Sequence, residues 1–130
     1  MRILFLSHAY PPFALGGLTL RCEEVARSLQ DRGHAVHVLT STHGVGPGVV
    51  AEDRITRSLR FQAGMEHYSI ADWLGRARRE RHNRQVLAVT IASYRPDVVF
   101  VWGLWNLSGS LPYWSEQAMT PVRVAYAIAD

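Results

Sequence analysis

The chain has 130 residues, the length of one ordinary domain, and 48% of them are hydrophobic, which excludes a disordered polypeptide. Its 14 basic residues, all arginine, exceed the 11 acidic ones by too little to argue for a nucleic-acid partner. The single Cys22 excludes an internal disulfide and a cysteine zinc site, and no run approaches the roughly 18 apolar residues of a membrane span.

Ile3 to Ser7 is an apolar run that reads as a strand buried on both faces of a parallel sheet. It is too short for a secretory core, which needs about 7–15 apolar residues. We therefore expect a cytoplasmic protein, at most peripheral to the inner face of a membrane. Pro11, Pro12, Gly16 and Gly17 make His8 to Gly17 a loop. A helix follows over about Leu18 to Arg32. Cys22, Val25, Ala26 and Leu29 form its apolar stripe, and Gly33 suits the position after its last turn. Cys22 reads as a small buried hydrophobe on that stripe.

His34 to Thr40 is a second strand, which completes a strand–helix–strand crossover. The glycines between Thr42 and Gly48 mark a loop. Arg54 to Arg60 alternates as a short, partly exposed strand with Ile55, Leu59 and Phe61 near one face. A long helix is expected from Ile70 to Tyr94. Leu87, Ile91 and Tyr94 keep its spacing, Trp73, Leu74 and Ala77 extend the stripe, and Arg95-Pro96 ends it. Val98 to Trp102 is a third buried strand. A short helix around Ser110–Met119 and a strand over Val122–Ile128 close the chain.

This alternation predicts an α/β fold: a Rossmann-like, doubly wound, mostly parallel sheet with helices on both faces. Ligands of such sheets bind beyond the carboxyl ends of the strands, here Ser7–Gly17, Thr40–Gly48, Trp102–Ser110 and Ala129–Asp130. Gly16-Gly17 before a helix N-terminus suits an anion, because backbone N–H groups and the helix dipole face a site without side chains. A merely flexible loop is the alternative. The pair is neither a dinucleotide fingerprint nor a Walker A motif. The second strand ends in Leu39-Thr40-Ser41 without an acidic residue, which argues against a dinucleotide oxidoreductase. The histidines have no ligand spacing, so no metal is expected. Arg76, Arg78, Arg79, Arg81 and Arg84 give a net +4 run with Glu80. It is either a solvated helix face or a grip for anionic lipid or a phosphorylated carrier.

Three blocks then carry a resemblance. Met1 to Ser41, "MRILFLSHAYPPFALGGLTLRCEEVARSLQDRGHAVHVLTS", resembles the opening of family 4 glycosyltransferases of the GT-B fold. Arg95 to Leu107, "RPDVVFVWGLWNL", is similar to that family's Pro-Asp-Val-Val-His-x-His-Gly stretch. Pro121 to Asp130, "PVRVAYAIAD", resembles its strand ending in His-Asp or Ser-Asp. Residues 42–94 match only in layout.

The resemblance implies sugar transfer, with retained configuration, from a nucleotide-diphosphate sugar to an acceptor hydroxyl, and no further cofactor. The acceptor would be a glycan, a lipid-linked molecule or a small molecule. Residues 1–130 would be a partial N-terminal, acceptor-side domain. The C-terminal domain that binds the nucleotide-sugar would be absent, and the isolated chain inactive. Gly16 and Gly17 would approach the donor's diphosphate. Gly103, Trp105 and Asn106 would contact acceptor or sugar, and Asp130 is the candidate catalytic residue. Phe100, Trp102 and Ala129 stand where many members carry histidine. His8 is either a loop residue in solvent or their replacement. The competing reading is a non-catalytic Rossmann-like binding module.

Overall fold

The computed structural model describes residues 1–62, 69–118 and 122–128. Five strands and four helices run in the order β1 (Arg2–Ser7), α1 (Gly17–Asp31), β2 (Ala35–Ser41), β3 (Ile55–Leu59), α2 (Ile70–Leu74), α3 (Arg76–Tyr94), β4 (Val98–Gly103), α4 (Leu111–Glu116) and β5 (Arg123–Tyr126). All strand pairs are parallel, in the order β3-β2-β1-β4-β5. The chain has the expected Rossmann-like α/β fold.

Alternation along the strands splits the core between the two faces of the sheet. Ile3, Phe5, Val36 and Val38 pack against Cys22 and Ala26 of α1. Leu4, Leu6, Leu39, Val99 and Val101 pack against Leu87 and Ile91 of α3 and Leu111 of α4. Each fully buried leucine contributes about 1.5–3 kcal/mol by leaving water. β1, β2 and β4 need apolar residues on both faces, which is why they read as continuous runs. Burial raises the Cys22 thiol to about 12, so it behaves as an inert small hydrophobe.

α1 ends as Gly33 foretold. Gly33 takes φ 90°, its N–H bonds Gln30 O at 2.9 Å and the His34 N–H bonds Leu29 O at 3.1 Å. That pair of bonds satisfies the last carbonyls of the helix.

Three expectations need correction. The helix over Ile70–Tyr94 is two helices, α2 and α3, that meet at Gly75. The Arg79 side chain folds back over Gly75 and donates to the carbonyls of Asp72 and, at 2.6 Å, Gln62. Trp73, Leu74 and Ala77 do not continue the apolar stripe. α2 buries no residue, Trp73 and Leu74 are 63% and 69% exposed, and Ala77 is exposed. Ile55 does not share a face with Leu59 and Phe61 either; those two pack together on the other side of the sheet. The β2–β3 register shifts between Thr40 and Ser41, so Thr40 pairs with Arg57 but Ser41 pairs with Leu59. This irregularity turns Leu59 toward α3 while Ile55 packs on the α1 side.

Candidate functional site

The strand order reverses between β1 and β4. The loop after β1 leads toward α1 on one face and the loop after β4 toward α4 on the other, and sheets of this kind bind ligands in the crevice expected at such a switch point. The two loops are tied together here by the His8 N–H, which donates to the Gly103 carbonyl at 2.8 Å.

His8 is not a loop residue in solvent. It is 5% exposed, its carbonyl accepts from Ser41 Oγ at 2.5 Å, and its Nδ1 has no partner among the described residues. Burial pushes its pKa below 6.5, against the opposing effect of the Gly103 backbone, so the ring is neutral at pH 7. Gly103 makes room for it, since a Cβ there would lie 3.0 Å from His8 Nδ1. A buried nitrogen without a partner costs stability unless a ligand supplies one.

Trp105 is 55% exposed and meets the His8 ring edge-on at 6.1 Å. Phe61 stands edge-on to Trp105 at 6.0 Å, and His43 stacks on Phe61 at 5.7 Å. Side chains from the ends of β1, β2, β3 and β4 thus form a continuous aromatic wall. Such a wall offers apolar ring faces for stacking. Asn106 is half-buried with φ 56°, a left-handed conformation that asparagine tolerates, and its carbonyl accepts from Gln62 N at 2.8 Å.

Gly16 and Gly17 stand at the start of α1, after the same strand as His8. Gly16 has φ 82° and ψ 179° at the N-cap of α1, with no side-chain cap and no acidic residue in the first turn. Thr19 Oγ1 donates to the Gly16 carbonyl at 2.8 Å and accepts from Leu15 N at 3.0 Å, which fixes the turn. Space above Gly17 is open: a Cβ there would meet nothing within 4 Å. The helix N-terminus is therefore bare.

Trp102 belongs to the core. Its indole N–H donates to Leu18 O at 2.7 Å and its ring packs on Phe5 and Phe100. Asp130 and Ala129 lie outside the described residues, as does His67. Among the described residues no group of histidine, cysteine or carboxylate side chains could hold a metal.

Several contributors escaped the sequence reading. Asn83 sits in the polar half of α3 yet is fully buried. It accepts from Arg60 N at 2.8 Å and donates to Arg60 O at 2.9 Å and Ser108 Oγ at 3.1 Å. Gln62 Nε2 reaches the same Ser108 Oγ at 2.6 Å. This network ties the loops bearing Phe61 and Trp105 to α3. One signal was present: Asn83 lies four residues before Leu87, on the stripe of Leu87 and Ile91. His43 and Phe61 follow β2 and β3, so the carboxyl-end rule itself pointed to their loops.

No protein-family model matches the sequence, and no curated protein sequence matches it. Among solved structures, sucrose-phosphate synthase from Thermosynechococcus elongatus matches with a TM-score of 0.64 at 20% identity. The match covers 96% of this chain and 32% of that one. The chain shares its fold with part of a GT-B glycosyltransferase. It spans about a third of that chain's length. The likeness reaches the GT-B fold and does not single out family 4.

Proposed function

We propose that these residues are the acceptor-side domain of a retaining family 4 glycosyltransferase that uses a nucleotide-diphosphate sugar. The observation that carries this reading is the switch-point crevice. There a bare helix N-terminus at Gly16-Gly17 follows β1, and an aromatic wall that includes the half-exposed Trp105 gathers from the ends of the four neighbouring strands. The first suits a diphosphate through backbone N–H groups and the helix dipole. The second suits a sugar, whose apolar face stacks on Trp105.

Transfer also needs preorganised positive charge at the departing phosphate. The described crevice residues offer backbone N–H groups and neutral side chains. Our reading assigns the cations and the nucleotide site to a second domain, and the 130 residues alone are expected to be inactive. Asp130 remains the proposed catalytic residue.

We place the protein in the cytoplasm, at the inner face of a membrane. Among the described residues no helix is long and apolar enough to cross one. Ile70, Trp73 and Leu74 are all strongly exposed on α2, and Arg76, Arg78 and Arg81 are exposed beside them. Arg79 and Arg84 drop out of the five-arginine face: the first bonds backbone carbonyls and the second stacks on Trp114 at 3.4 Å. An apolar rim flanked by arginines fits an anionic lipid surface.

The test is sugar transfer by the full-length protein from a panel of nucleotide-sugars, with product anomers assigned by NMR. We expect transfer with retention, and a loss of roughly tenfold or more in kcat/KM for Trp105→Ala, the effect of one lost stacking contact. Inversion would remove the retaining mechanism. No transfer from any donor, with the protein folded, would leave the non-catalytic binding module.

A further inference from the structure

The loop that carries Gly16-Gly17 is held by a side chain from the far edge of the sheet. Arg57 of β3 is half-buried, with its side chain 9% exposed. Its two terminal nitrogens donate to Tyr10 O at 3.0 Å and Pro11 O at 2.6 Å, and Glu52 lies 3.6 Å away. The guanidinium also lies 5.2 Å from the centre of the Phe13 ring. Phe13 itself bonds back to Tyr10 O through its N–H at 3.1 Å. Its ring rests on Gly44 in the loop after β2: a Cβ on Gly44 would run into it, and Gly44 has φ 81°. One half-buried arginine, one aromatic ring and one bare glycine therefore join strand β3, the β1–α1 loop and the loop after β2.

A surface arginine is normally solvated, and a buried one is retained when it satisfies specific acceptors. Here the acceptors are two successive loop carbonyls. The planar fork fits both at once, which a lysine ammonium on a flexible stem cannot reproduce. We infer that Arg57 is a positioning residue that latches the β1–α1 loop, through Tyr10, Pro11 and Phe13, in the conformation that presents Gly16 and Gly17 to a diphosphate ligand. The ligand part of this inference rests on the glycosyltransferase reading; the latch does not. Arg57 touches no ligand in this role. It acts by keeping the loop's carbonyls turned inward and away from an anion.

The experiment is hydrogen–deuterium exchange on the full-length protein, without ligand, for wild type, Arg57→Ala, Arg57→Lys and Gly44→Ala. Residues 10–17 are compared with Leu87–Ile91 of α3 as the control for global unfolding. In Arg57→Ala, exchange in 10–17 should rise at least roughly tenfold, the population equivalent of one lost charged hydrogen bond, with α3 unchanged. Arg57→Lys should fall between Ala and wild type. Gly44→Ala attacks the same latch from the Phe13 side and should loosen 10–17 with Arg57 intact.

Exchange in 10–17 that stays at the wild-type rate in both Arg57→Ala and Gly44→Ala overturns the latch, whatever any assay shows. The second readout is the KM for the sugar donor against kcat. Looser exchange with a raised KM and a nearly unchanged kcat supports positioning. Looser exchange with an unchanged KM overturns the positioning role while leaving the latch as architecture. A wild-type protein that transfers no sugar fails the functional reading, and the exchange rates still decide the latch.

Discussion

Gly16 and Gly17 are adjacent, yet the fold demands glycine at only one of them. Gly16 combines φ 82° with ψ 179°, a region that side chains with a Cβ essentially do not enter. Gly17 opens α1 with no positive φ, and a methyl there would meet open space. Gly16→Ala should therefore cost about 1–3 kcal/mol of strain. Gly17→Ala should leave stability unchanged or raise it by up to about 1 kcal/mol, because alanine is the better helix former. Urea unfolding of both variants measures this, and donor affinity measured alongside should fall in Gly17→Ala as the methyl enters the crevice. A loss of stability in Gly17→Ala as large as in Gly16→Ala would mean that the fold requires both glycines, and the pair would no longer point to a ligand.

Among the elements, strands and helices differed in how plainly the sequence showed them. β1, β2 and β4 were legible as continuous apolar runs because helices cover both their faces. α1 was legible because its buried stripe and its closing glycine agree. The α2–α3 region was not, because Arg79 and Asn83 bury polar atoms against backbone groups that no periodicity announces. The irregularity at Thr40/Ser41 was equally invisible, since it depends on the partner strand. At the site, Gly16, Gly103 and Trp105 were legible from their loops. Their juxtaposition with His43, Phe61 and Arg57 was not, because residues from four strand ends meet only after the sheet forms. α2 carries a prediction of its own. A five-residue helix that buries nothing, yet shows Ile70, Trp73 and Leu74, is poorly explained by the core. Flotation with vesicles should show binding to anionic but not neutral lipid, weakening as salt is raised. Trp73→Ser with Leu74→Ser should reduce it, and so should Arg78→Gln with Arg81→Gln. Equal binding to neutral vesicles, or none to either kind, would return α2 to an ordinary solvated turn of helix.

For the whole molecule, two histidines withdrawn from water, His8 buried and His37 half-buried, link stability to pH. His8 ties the loops after β1 and β4 together, and His37 lies in β2, with Nε2 2.8 Å from Thr56 Oγ1 and its ring 5.1 Å from that of Tyr94. Burial lowers the pKa of both below 6.5, as the folded interior disfavours the charged ring. Below that pH the unfolded chain takes up protons that the folded chain refuses, so acid favours unfolding. The stability these neutral rings contribute is fully present above 6.5, falls as the pH drops through that value, and levels off beneath the folded pKa values. The urea midpoint of the wild type should thus drop between pH 7.5 and 5.5 by more than that of His8→Gln with His37→Gln. Equal drops would show that neither ring is desolvated as described. The single variants then separate architecture from ligand. His37 faces Thr56 and Tyr94, so its replacement should change the pH slope of stability alone. His8 meets Trp105 edge-on, so its protonation also puts a charge beside the ring that our reading offers to a sugar. In a full-length enzyme, acceptor KM should rise as the pH falls through the titration of His8. His37→Gln should keep that rise, and His8→Gln should abolish it.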